Sequence, residues 1–253
     1  MKKVSLIIPI YNEAPHLKDF LEKIDVLDLG GPKELVFVDD ASKDKSFEIL
    51  SSFGFQSETQ ILRQSVNHGK GAALHRAIEA ATGDIIAVQD ADFEYDMQDL
   101  PELIAPLRAG KADVVYGSRF RKNGLQVHRT FHYLINRLLT LMSNVFSGLY
   151  LSDMETCYKI FHADVLKNII FESKRFGFEP EVTAKIARLK LRILEIPISY
   201  FPRNYLEGKK INWKDGVAAF WHIFKFNCLR REFRYSYKDT LPSRYRTSGP
   251  QWL

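Results

Sequence analysis

The first 120 residues switch repeatedly between two hydrophobic periods, and few architectures satisfy such a pattern. Val4 to Ile10 is a short, mostly β-branched apolar run, and Ala14 to Val26 repeats apolar residues at helical spacing. The pair recurs, with strands over Leu35–Val38, Gln60–Arg63, Ile85–Val88 and Val114–Tyr116 and helices over Asp44–Ser52, Gly71–Ala81 and Met97–Leu107. Strands this short and apolar are buried on both faces. The pattern therefore predicts an α/β fold, a Rossmann-like, mostly parallel sheet with helices on both faces. Right-handed crossovers then place ligands outside the carboxyl ends of the strands. After residue 120 the alternation gives way to a C-terminal helical elaboration. Helices are expected over His128–Leu151, Glu181–Leu189 and Trp213–Arg231, with a strand over Arg192–Ile196 and a loop from Asp153 entering a strand near Phe161. Ser236–Leu253 lacks periodicity and carries Pro242, Gly249 and Pro250, so it reads as a flexible tail. One domain, 1–235, is expected.

Polar clusters follow four successive strands: Asn12-Glu13, Asp39-Asp40, Asn67-His68-Gly69-Lys70-Gly71 and Gln89-Asp90-Ala91-Asp92. In a parallel sheet all four land on one rim, which makes that rim the candidate site. Asp90, Asp92 and Glu94 bring three carboxylates to the end of a buried strand, where their mutual repulsion calls for a positive partner. A hard divalent cation is one; a solvated loop capping the next helix, with Asp96 and Asp99, is the alternative. The glycines around Lys70 let backbone approach closely ahead of a helix N-terminus, which suits an anion or simply a tight turn. Asp39 or Asp40 can accept from a ribose hydroxyl or a base N–H, while Ser42 suits an N-cap. Neither Gly-x-x-x-x-Gly-Lys-Ser/Thr nor Gly-x-Gly-x-x-Gly occurs after these strands, which disfavours a P-loop and a dinucleotide-binding dehydrogenase.

Taken in order, Ile7-Ile8-Pro9-Ile10-Tyr11-Asn12-Glu13, Asp39-Asp40-Ala41-Ser42, Asn67 to Leu74, Gln89 to Asp92 and Gly117-Ser118-Arg119-Phe120 resemble the motifs of family 2 glycosyltransferases. Asp153-Met154-Glu155-Thr156-Cys157-Tyr158-Lys159, Phe178-Glu179-Pro180-Glu181 and Ile196 to Tyr200 followed by Arg203 extend the likeness to the dolichyl/polyprenyl-phosphate mannose or glucose synthase group. The resemblance covers residues 4 to about 230. It implies a GT-A fold, with a nucleotide-sugar-binding half (1–120) and an acceptor-binding half (121–235). It also implies a UDP- or GDP-hexose donor and a Mg²⁺ or Mn²⁺ ion. By that likeness Pro9, Tyr11, Glu13, Asp39 and Asp40 line the nucleoside pocket, and Asp90, Asp92 and Glu94 hold the metal. The synthase group often has Gln where Glu94 stands. Arg119 would face the acceptor phosphate with Arg129 as helper, Asp153 would stand at the base position, and Arg203 with Lys209 would meet the diphosphate. Lys70 and Gln89 are further candidates.

Such a reaction is inverting, and a lipid-phosphate acceptor, ionised with a second pKa near ~6, leaves Asp153 little proton to remove. A sugar hydroxyl would require Asp153 as a true base. The competing readings are transfer to a soluble or cell-surface glycan, and a nucleotide-sugar-binding protein without turnover. A pyrophosphorylase would carry a Gly-rich, Arg-bearing loop after the first strand, where Pro9 to Glu13 stand instead.

Charge narrows the partners. The 36 Lys+Arg against 31 Asp+Glu leave a net +5, which favours anionic ligands, yet no base-stacking motif supports nucleic acid. Two cysteines form no metal cluster or disulfide framework. No apolar run is long enough to span a bilayer, and Val4–Ile10 is not a signal peptide. Val217 to Phe226, aromatic-rich and followed by Arg230, Arg231 and Arg234, suits an interfacial helix, a core helix or an oligomer contact equally. A cytoplasmic protein is expected, with peripheral attachment to the cytoplasmic face of a membrane where that helix is interfacial.

Overall fold

The computed structural model describes residues 1–120, 130–202, 213–230 and 232–247. Seven strands form one sheet: β1 (Val4–Ile10), β2 (Lys33–Asp39), β3 (Glu58–Arg63), β4 (Ile85–Val88), β5 (Val114–Ser118), β6 (Lys159–His162) and β7 (Ile193–Pro197). Their order is β3-β2-β1-β4-β6-β5-β7. All neighbours pair parallel except β6, which runs antiparallel to both β4 and β5. The helices are α1 (Ala14–Val26), α2 (Ser46–Ser52), α3 (Lys70–Ala80), α4 (Leu100–Arg108), α5 (Thr130–Ser147), α6 (Ala163–Leu166), α7 (Phe178–Ile186), α8 (Trp213–Phe224) and α9 (Phe233–Ser236), and a π-turn over Lys225–Leu229 continues α8.

The expected α/β architecture is present because the apolar runs are long enough only for strands and are covered on both sides. Leu6, Ile7, Ile8, Leu35, Val36, Phe37, Ile85, Ile86 and Ala87 have no exposed surface. On α1, Leu17, Phe20, Leu21 and Ile24 recur at i, i+3, i+4 and i+7 and are buried too. Pro9 is tolerated in a central strand because pairing to β4 ends at Ile7–Val88, two residues earlier.

Two features depart from the expectations. The antiparallel β6 was not foreseen, and it carries the site: reversing the strand brings the loop before it, Asp153–Tyr158, to the rim where the parallel strands end. The flexible-tail reading needs correcting for residues 236–247. Tyr237, Leu241 and Tyr245 are buried in the main core, and Tyr237 bridges to Ile169. Tyr237, Leu241 and Tyr245 recur four apart and pack here without an α-helix to announce them.

Candidate active site

The chain builds β1, β2 and β3 outward in one direction and then returns to place β4 on the other side of β1. The loops after β1 and β4 therefore flank the point where the strand order reverses, the usual ligand crevice of such sheets. Three non-glycine residues in the rim loops adopt left-handed backbone: Asn12 (φ 52°), Ala41 (φ 55°) and Phe93 (φ 57°). Each costs on the order of 1 kcal/mol and persists because the loop is held elsewhere. Asn12 is held by its N–H to Ser42 Oγ (3.0 Å) and by its Oδ1 accepting from Lys43 N (2.8 Å). Phe93 packs edge-on against Phe20 with Lys23 over its ring.

The nucleoside-side candidates divide into builders and one open acceptor. Asp40 closes the loop after β3, its carboxylate accepting from His68 N (2.8 Å), Gly69 N (2.7 Å) and Gln64 Nε2 (2.8 Å). Asp39 Oδ2 accepts from Ser42 N (3.2 Å) and faces Arg63 Nε (3.3 Å), whereas its buried Oδ1 has no hydrogen-bond partner. A fully buried oxygen left unsatisfied is costly, and a ligand N–H or O–H at this rim would satisfy it. Glu13 is buried with its N–H bonded to Ser46 Oγ (2.8 Å); Pro9 and Tyr11 are half-buried beside it.

Glycines 69 and 71 serve a backbone contact. Gly71 N donates to Arg175 O (3.1 Å) and Ala72 N to Lys174 O (2.8 Å), so the start of α3 is already capped. A Cβ at Gly69 would lie 2.8 Å from Lys174 O, and one at Gly71 2.9 Å from Ser173 O and Arg175 O. The anion site read at this helix N-terminus is thus filled by peptide carbonyls, leaving Lys70 as the cation. Its Nζ lies 2.8 Å from Asp90 Oδ2 and 3.3 Å from Glu179 Oε1. Burial alone would lower the Lys70 pKa; the paired Asp90 carboxylate outweighs it and holds the ammonium well above its usual range.

On the acidic loop, Gln89 is internal. It accepts from Tyr158 Oη (2.6 Å) and donates to Asp90 O (2.7 Å), setting the path of the loop from beneath. Asp92 Oδ1 accepts from Glu94 N (3.1 Å). Glu94 Oε2 accepts from Tyr200 Oη (2.8 Å), and its carbonyl accepts from Phe201 N (2.8 Å). Among the described residues no group of three or more His, Cys, Asp and Glu side chains is gathered to hold a metal ion. Glu94 instead ties the acidic loop to the segment after β7. Asp90 and Asp92 remain as two hard oxygen donors at the crevice, the chemistry that suits Mg²⁺ or Mn²⁺ when phosphate oxygens complete the shell.

Opposite them, antiparallel β6 brings Asp153 to Arg119. The pair is bidentate, Arg119 Nε to Oδ2 at 2.7 Å and Nη2 to Oδ1 at 2.8 Å, with Arg119 N adding a third bond at 3.0 Å. Asp153 is fully buried, and burial of the guanidinium is outweighed by that carboxylate, which keeps Arg119 well above its normal pKa. Glu195 fixes the turn by accepting from Ser152 N (2.8 Å) and Asp153 N (3.0 Å). Glu155, which the motif contains but which carried no assigned role, has a buried Oε1 without a partner. Burial, then the neighbouring Glu179 carboxylate, raises it to about 7. Arg129, Arg203 and Lys209 lie outside the described residues. An open cavity of about 900 Å³ lies at the other end of the sheet, where Asp113–Arg192 and Asp164–Arg244 already pair internally.

A sequence model of the family described as "Glycosyl transferase family 2" matches residues 5–170, spanning the loops after β1, β2, β3 and β4 and both members of the Arg119–Asp153 pair. The chain belongs to that family. Among curated members, an undecaprenyl-phosphate mannosyltransferase of Micrococcus luteus is 30% identical over 82% of this chain and 87% of its own. The low-salt glycan biosynthesis hexosyltransferase Agl6 of Haloferax volcanii is 32% identical over 79% of this chain. A dolichol-phosphate mannosyltransferase of Pyrococcus furiosus is 34% identical over 48%. This chain spans only 48% and 34% of the last two proteins' lengths. Glucosyl-3-phosphoglycerate synthase from Mycobacterium tuberculosis, solved with Mn²⁺, UDP and glucosyl-3-phosphoglycerate, superposes with a TM-score of 0.67 at 18% identity, over 89% of this chain and 80% of that one. The shared GT-A fold of this family 2 glycosyltransferase is what that likeness shows. Gln89, Tyr158 and Glu94–Tyr200 escaped sequence reading as supports because their partners are 69 and 106 positions away.

Proposed function

We propose that this family 2 enzyme transfers a hexose from a UDP- or GDP-sugar to a polyprenyl or dolichyl phosphate, with inversion and with Mg²⁺ or Mn²⁺ bound. One observation carries the reading: the Arg119–Asp153 fork stands on the same rim as Asp90 and Asp92, so a guanidinium of the kind that suits phosphate and two carboxylates of the kind that suit a divalent cation share one crevice. Relatives named as mannosyltransferases of undecaprenyl phosphate and dolichol phosphate support the acceptor class.

Asp39 Oδ1 supplies an acceptor for the nucleoside, in a pocket bounded by Pro9, Tyr11 and Glu13 and shaped by Asp40. Asp90 and Asp92 would hold the divalent ion, which would supply positive charge against the negative charge that builds on a departing nucleoside diphosphate. Lys70 keeps a second positive charge beside Asp90, pre-positioned by Glu179. Asp153 occupies Nε and Nη2 of Arg119, which orients Nη1 as the donor left for an acceptor phosphate oxygen. A lipid phosphate attacks as an anion, so Asp153 acts by holding Arg119 rather than by taking a proton. Arg203 and Lys209 are assigned to the diphosphate.

The test is incubation with labelled UDP- and GDP-hexoses, Mn²⁺ and polyprenyl phosphate. Label extractable into organic solvent is expected. Its absence with every donor, alongside transfer to a water-soluble glycan, would reassign the acceptor.

A further inference from the structure

Helix α5 is inside out. The side it turns inward carries Leu139, Thr140, Ser143 and Ser147, all nearly without exposure, and Thr140 Oγ1 is spent accepting from Met154 N (3.1 Å). The side it turns outward carries Leu134, Leu138, Leu141 and Val145, from 48% to 71% exposed. Steps of four, three and four at 100° per residue keep those four within one narrow stripe. Helix α8 repeats the arrangement, burying Ala219 and Ile223 and exposing Val217, Trp221 and Phe224 at i, i+4 and i+7.

The two stripes adjoin. Leu139, Met154, Ala219 and Ile223 form one small core between the helices, and Phe146 meets Phe224 edge-on at 6.4 Å between ring centroids. Apolar area of this extent on a folded chain marks an interaction surface. Its charge is one-sided: no Asp or Glu occurs between Asp113 and Asp153, nor between Asp215 and Glu232. Around it stand Arg137, Lys225 and Arg230, the last two sharing a single carboxylate, Glu172. A second protein would be expected to meet an apolar stripe with mixed polar rims. Leu, Val, Trp and Phe bordered by a surplus of cations match the boundary between acyl chains and anionic headgroups.

We propose that α5 and α8 together form the face by which this protein docks on an anionic bilayer. The inference rests on the reading above for its purpose, since a polyprenyl phosphate is itself held in a membrane. The face also runs into the site: Tyr133 on α5 packs edge-on against Phe120, beside Arg119, and Arg137 Nη1 donates to Ser152 O (3.1 Å), next to Asp153. Docking on this face sets Arg119 near the headgroup plane.

Vesicle flotation tests it, with phosphatidylcholine alone and with phosphatidylcholine containing phosphatidylglycerol, using wild type, Leu141→Glu/Val145→Glu and Val217→Glu/Trp221→Glu. Wild type is expected to float with the anionic vesicles, more weakly with neutral ones and in high salt. Each double variant should bind about tenfold more weakly or worse, while a nucleotide thermal shift shows its fold and donor site intact. No flotation of wild type, or full flotation of both variants, overturns the proposal. So does a concentration-dependent dimer lost in these variants without flotation, which would make a second copy the occupant. Vesicle binding without any sugar transfer would sustain the docking face and overturn the acceptor reading instead.

Discussion

Removing the Arg119 guanidinium would strand Asp153, a carboxylate with no exposure, beside Glu195, which caps the same turn. Breaking a buried pair from one side costs about 3–5 kcal/mol, so Arg119→Ala should show a clear loss in urea-unfolding free energy. Arg119→Lys keeps the charge but not the planar fork. It should raise the acceptor KM more than it weakens nucleotide binding, and equal losses would remove Arg119 from the acceptor side. Asp92→Ala should cut metal-stimulated turnover by about 10²–10³-fold and abolish the Mn²⁺-dependent part of a nucleotide thermal shift. Glu155 gives a pH signature. Glu179, Lys159, Arg119 and Asp153 surround it, and its pKa is raised from 4.5 to about 7. The folded state thus holds a proton that the unfolded chain releases between those values. Its contribution to stability is complete below pH 4.5 and falls as pH rises towards 7. Glu155→Gln should remove that decline, read as a smaller drop in Tm between pH 5 and 8 than wild type shows.

At the scale of elements, the start of α3 shows why motif chemistry needs a structure to interpret it. Asn67 to Gly71 has the composition of an anion cradle, yet the amides of His68 and Gly69 are spent on Asp40 and that of Gly71 on the carbonyl of Arg175. Gly71→Ala, with ordinary helical backbone but no room for a Cβ, should destabilise by about 1–3 kcal/mol in chemical denaturation. The strands and most helices were legible because their hydrophobic periods are local: β1, α1 and β4 fall where the apolar runs place them. The direction of β6 was not. A four-residue apolar strand reads the same either way, and only its register, Ile160 against Ala87 and Val115, reveals that it is reversed. The same limit hid the Arg119–Asp153 fork, whose members are 34 positions apart.

Across the whole molecule, the segment from Tyr237 to Tyr245 is part of the core. Truncation after Arg234 would remove Tyr237, Leu241 and Tyr245, each buried. At about 1.5–3 kcal/mol per buried large side chain, the shortened protein should unfold at markedly lower temperature, measurable by calorimetry. The interlaced strand order has a consequence for diversification. β4 and β5, both from the first 120 residues, never touch as neighbours; β6, drawn from the chain beyond Arg119, is threaded between them. Swapping everything beyond residue 120 for a cousin's counterpart would therefore import a new middle to the sheet as well. Chimeras that cross over inside surface loops, leaving β6 with its native neighbours, are the economical route to altered specificity.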